Sequence, residues 1–253
     1  MRTTSSSSTV ISFASVVFAL TACGGSDEPD YAHGTINNTS AEAAIEGISE
    51  IGVAIQSGDG ETSASGVLGL TAIGQTLVIP SGPSGAGRLQ APPLGLVPQS
   101  LGRDGLVALT GTASCDDTGC VYDNFGDDTE YGSYRINGFI RKTGDTFAFD
   151  LTFDLTSSGY TFDWSIDGSI TVSPTLIDGE IHSHGSSTGD GYAISWDVDL
   201  DFDQIGLDGS GCPTSGRLAA RVAYDVSGTQ GSGNYAVAGA VTFGPACGQF
   251  SAE

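Results

Sequence analysis

From Leu106 onward, apolar and polar residues alternate along the chain with a period of two, the mark of strands that bury one face. Phe147, Phe149, Leu151, Phe153 and Leu155 share one parity, while Asp150, Thr152 and Asp154 take the other. After the turn signal Thr156-Ser157-Ser158-Gly159, the residues Tyr160, Phe162, Trp164, Ile166, Ile170 and Val172 fall in step again, with Gly168 expected at a bulge or bend. A two-residue turn at Asp178-Gly179 would set Leu176 opposite Ile181 on the apolar face. Tyr192, Ile194, Trp196, Val198, Leu200 and Phe202 make the next row, and Leu218, Ala220, Val222, Tyr224 and Val226 another. Tyr235, Val237, Val241 and Phe243 make the last. Together the rows predict an up-and-down antiparallel meander with one oily and one wet face.

Upstream the periodicity changes. Thr39 and Glu42 stand at the N-cap and N3 positions of a capping box, followed by Ile45, Ile48, Gly52 and Ile55 at helical spacing, which predicts a helix over 40–56. Residues 66–79 are apolar and glycine-rich and read equally as strand or helix. Five of the nine prolines fall between Pro80 and Pro98, marking an irregular stretch. A sheet with one oily face must close, fold over or be covered. The expected architecture is therefore mainly β, a curved sheet or barrel with the N-terminal amphipathic helix packed on its apolar face. It forms one domain over 39–253, with the helix and Gly/Pro-rich segment in 39–105 and the meander in 106–253.

The first 22 residues carry Arg2, a Ser/Thr stretch and the apolar run Val10 to Leu20, with no acidic residue. This is the layout of an export signal, and the run is too short to span a bilayer. It ends in Leu20-Thr21-Ala22-Cys23, which resembles the lipobox of bacterial lipoproteins, and "GGSDEPD" follows as the start of a flexible tether over 23–38. The resemblance covers residues 1–23 alone. It implies cleavage before Cys23, acylation of that cysteine and a membrane held as partner through acyl chains, each buried CH₂ contributing about 0.8 kcal/mol. Gly24 stands where an aspartate would favour inner-membrane retention, so the resemblance implies the outer membrane.

Apart from Cys23, the cysteines are Cys115, Cys120, Cys212 and Cys247, an even number suited to two disulfides in an oxidising compartment. Cys115 and Cys120 flank a short hairpin loop, and Cys212 and Cys247 bracket a predicted hairpin over 217–243 with its tip at 228–233. That register favours pairing 115 with 120 and 212 with 247. The chain carries 30 Asp+Glu against 8 Lys+Arg. Such a surface repels nucleic acid and anionic headgroups, and its charges are dispersed along strands rather than run in a block, as on a folded acidic surface.

Candidate chemistry is sparse. "DVDLDFD" places Asp197, Asp199, Asp201 and Asp203 at every second position, so as a strand they point away from the core about 7 Å apart and cannot wrap one ion. "YDNFGDDTEYG" gathers Asp123, Asn124, Asp127, Asp128 and Glu130 into a glycine-containing loop that could curl round calcium, although an acidic turn is the commoner meaning of such a stretch. Glu180, His182 and His184 alternate on one strand face, and the His-x-His resembles a fragment of the cupin metal signature, without its third histidine or its glutamate. "GSSTG" at 185–189 matches a nucleophile-elbow pattern by letter but precedes a strand, not a helix. No catalytic residue or cofactor is assigned; calcium is the single ion kept open. The expected role is a membrane-anchored, non-enzymatic structural or binding module. The alternatives are a carrier of an apolar ligand in a barrel cavity and a weak calcium-binding surface protein, and the protein partner is unspecified.

Overall fold

A computed structural model describes residues 31–36, 78–80, 110–129, 132–157, 159–189, 191–229 and 231–252. The expected signal, Cys23, the helix over 40–56 and the proline-rich stretch lie outside the described residues. The strands are β1 (Ala32–Ile36), β2 (Val78–Pro80), β3 (Thr110–Asp116), β4 (Gly119–Thr129), β5 (Gly132–Thr143), β6 (Thr146–Ser157), β7 (Tyr160–Ser173), β8 (Leu176–Gly189), β9 (Tyr192–Leu207), β10 (Pro213–Gly228), β11 (Gly231–Phe243) and β12 (Phe250–Ala252).

They form one sheet in the order β2-β1-β11-β10-β9-β8-β7-β6-β5-β4-β3, with β12 also against β11. From β3 to β11 every neighbour in the chain is a neighbour in the sheet and every pairing is antiparallel. The rows read from the alternation are the rows observed. Phe147, Leu151, Ile166, Ile170, Ile181, Val198, Leu200, Phe202, Leu218, Val222 and Val241 are all buried on one face, in one continuous cluster. Burying each such side chain contributes about 1.5–3 kcal/mol relative to exposure. Asp150, Asp154, Asp163, Asp167, Asp197, Asp201 and Asp203 are exposed on the other face.

Four expectations are corrected. The sheet is open: among the described residues, β2 and β3 end the strand order and do not pair. The edge of β11 that faces away from β10 is taken by β1 and β12. Ala32–Ile36, inside the expected tether, is a strand lying parallel to β11, with Ile36 buried in the core. Asp178-Gly179 is not a turn. The chain turns at Pro174-Thr175, pairing Ser173 with Leu176 and Val172 with Ile177, because proline already holds the φ that a turn's second position requires. Gly168 sits in register between Phe149 and Ile181 with no bulge.

The real irregularities lie elsewhere. Between Ile177 and Gly179 the β8–β9 register shifts, and Gln204 adopts φ 47° while its N–H donates to Asp178 Oδ1 at 2.9 Å. This is why the buried parity of β9 changes from Phe202 to Ile205. Both pairs of cysteines form disulfides, Cys115 with Cys120 and Cys212 with Cys247, their Cα atoms 4.1 Å and 5.5 Å apart. The β10–β11 hairpin turns between Gly228 and Gly231, which brings 212 level with 247.

Candidate functional site

The wet face of β7, β8 and β9 carries a dense patch of carboxylates together with two histidines. Strand periodicity sends Asp197, Asp199, Asp201 and Asp203 to that side, and register sets the first three opposite His184, His182 and Glu180 of β8. On β7 the same rows continue as Ser165, Asp167 and Ser169. On β10, Arg221 stands opposite Asp199 and Arg217 opposite Asp203.

His182 is the centre of this surface. Its Nδ1 lies 2.7 Å from Asp199 Oδ1 and its Nε2 lies 3.8 Å from Glu180 Oε2. The hydrogen bond to Asp199 holds the imidazole's pKa above its ordinary value; partial burial opposes this, and the charges of Asp199, Asp167 and Glu180 add to it. Asp197 is also raised, first by desolvation and then by Asp199, with the two histidines pulling the other way.

Next to it, Ser165, His184 and Asp197 fall in one cross-strand row, the residue types of a hydrolytic triad. The geometry differs from one. Ser165 Oγ is 2.9 Å from both ring nitrogens of His184, which sets the hydroxyl over the ring rather than along either lone pair. In-line proton transfer needs the hydroxyl on one nitrogen's axis.

The acidic stretch expected as a loop is instead strand β4 as far as Thr129. Asp123 and Asn124 together stand opposite the single residue Asn137 of β5 and so form a bulge, with Asn124 at φ 52° and its N–H donating to Asn137 Oδ1 at 2.8 Å. The carboxylates are consequently scattered. Asp128 turns to Arg135, whose Nη2 meets both of its oxygens at 2.7 and 2.8 Å. Asp127 follows the core-facing parity beside Tyr134, and Glu130 lies outside the described residues. Glu180, His182 and His184 do share one face, as the alternation implies, yet among the described residues no three His, Cys, Asp or Glu side chains are grouped to hold a metal ion. In "GSSTG", Ser187 is buried on the core face of β8, opposite Phe162 and Ile194.

Two open troughs indent the wet face. One, of about 450 Å³, is lined by Ser186, Ser195, Asp225, Ser227, Ser232 and Asn234 among others; the second, of about 540 Å³, by Ser169, Thr171, Asp178, Glu180, Asp201 and Asp203 among others. The His182–Asp199 pair between them is the contact that reading the chain missed. The pairing of Gly189 with Tyr192 across the Asp-Gly dipeptide of the sequence is what fixes 182 opposite 199, and that dipeptide carried the necessary signal. No protein-family model, curated protein or solved structure matches the chain.

Proposed function

We propose that the protein is an exported, membrane-anchored lipoprotein whose acidic sheet face is a non-enzymatic structural or binding surface. The observation that carries this reading is the cysteine pattern. Cys23 stands at the end of a lipobox-like LTAC, and the four remaining cysteines are consumed in two disulfides, as suits an oxidising envelope. Acyl chains on Cys23 would place the sheet near a membrane. β1 begins nine residues beyond Cys23, a stretch that spans at most about 32 Å. In this reading, the amphipathic stretch 40–56 is the helix that covers the apolar face, which the meander leaves on one side of a single layer.

The test is metabolic labelling with a radioactive fatty acid, followed by fractionation. The wild-type chain should carry label and sediment with membranes, and Cys23→Ser should lose the label and become soluble after export. Undiminished label in the variant, or a wild-type chain in the cytosol with reduced thiols, would sink the proposal.

A further inference from the structure

We propose that His182 is an acid-engaged clasp across β7, β8 and β9, which tightens the wet face of the sheet when its imidazole is protonated. This goes beyond the anchoring reading and does not depend on it.

Carboxylates surround the imidazole ring on three strands. From β9, Asp199 touches Nδ1 at 2.7 Å; from β8, the strand of His182 itself, Glu180 lies 3.8 Å from Nε2. From β7, Asp167 stands directly opposite, with Asp150 of β6 behind it in the same row. Asp201 faces Glu180, and Asp197 faces His184 one pair along. The nearest fixed cation in the row is Arg221 of β10, on the far side of Asp199.

With a neutral imidazole, Asp167 and Asp199 repel one another across His182, two strand spacings or about 10 Å apart, and the directly paired acids Asp150–Asp167 and Glu180–Asp201 repel at about 5 Å, which destabilises the pairing. A proton on His182 puts a positive charge between them, so that Asp199 and Asp167 are drawn to the same centre from both sides. The sign follows from the direction of the shift. The folded state holds this proton more tightly than the unfolded chain, so the stabilisation is fully present below about pH 6.5 and is lost as pH rises through the higher folded value. Its size is modest, because the side chains of His182 and Asp199 are 43% and 40% exposed and water screens the pair.

The experiment follows each histidine of the full-length protein by NMR while pH runs from about 8.5 to about 5.5, the range in which imidazoles titrate, with melting temperatures measured alongside. His182 should titrate above a free histidine, and Asp199→Asn should lower its midpoint. On acidification, the melting temperature of His182→Gln should gain about 2 °C less than that of wild type. A His182 midpoint at or below the free value overturns the proposal, as does a His182→Gln protein that keeps the full wild-type response. If His182→Gln does not fold, the wild-type midpoint and its change in Asp199→Asn decide the matter.

Discussion

Ile166 and Asp167 are adjacent in β7 and meet opposite solvents. Ile166 is fully buried between Leu151 and Ser183, while Asp167 is exposed between Asp150 and His182. Removing the isoleucine's branch leaves a void in a packed face, and Ile166→Ala should cost about 2–5 kcal/mol of unfolding free energy. Asp167→Asn removes a like-charge neighbour of Asp150 and should change stability by no more than about 0.5 kcal/mol. Urea midpoints of the two variants check this. Equal losses would mean that the two faces are not sorted as described. Glycine has a specific task at Gly138, where φ is 116° and an added Cβ would meet the carbonyl oxygen of Asp150 on β6. Trp196 shows another use, since its ring lies across Gly185 of the neighbouring strand. Alternation in the chain announced that Trp196 is buried but not that its Nε1 has no hydrogen-bond partner, whereas Trp164 Nε1 donates to Ser183 Oγ at 2.6 Å. A single strand's pattern does not reveal what its neighbours offer.

At the scale of elements, the strands were legible because each meets water on one side and apolar atoms on the other. The turns were less so. Ser157 pairs with Tyr160, so the chain reverses where expected, whereas Asp178-Gly179 carries turn chemistry and lies within β8. Local propensity lost there to Pro174, which fixes the turn four residues earlier and leaves Asp178 to accept from Gln204 across a bulge. The acidic segment of β4 misled for a related reason: its Asp, Asn and Gly residues serve a bulge, and bulges and loops draw on the same residue types. The cysteine pairing was legible because hairpin register fixes it. In the chain-entropy view, Cys212–Cys247 closes a separation of 35 residues and contributes about 4 kcal/mol, against about 2 kcal/mol for Cys115–Cys120 with a separation of 5. Asp208 organises the approach to Cys212 by accepting from the N–H groups of Ser210 and Cys212. Replacing Cys212 and Cys247 by serine should therefore lower the denaturant midpoint about twice as far as replacing Cys115 and Cys120. The reverse order would show that the two bridges act mainly through strain or denatured-state structure.

For the whole molecule, the decisive features are nonlocal. Nothing in Ala32–Ile36 by itself foretells a parallel partner some 200 residues away, because that pairing depends on the edge β11 presents once the meander has formed. The same assembly stacks carboxylates that are dispersed in the chain into rows. Asp150 meets Asp167, Asp154 meets Asp163 and Glu180 meets Asp201 directly across strands. With a formal net charge of −22, these rows make the folded state repel itself more than an extended chain would. Cross-strand neighbours stand about 5 Å apart and next neighbours along a strand about 7 Å, below the Debye length of about 8 Å at physiological salt but within reach of the tighter screening at higher salt. Adding sodium chloride from about 0.01 M to about 0.5 M should consequently raise the melting temperature, and most of the gain should come from the face built by β6 to β9. Replacing Asp154, Asp163 and Asp201 together by asparagine would then raise the low-salt melting temperature and flatten its salt dependence. A wild-type protein whose melting temperature is indifferent to salt would show that Arg135, Arg217 and Arg221, set among these rows, already balance the local field.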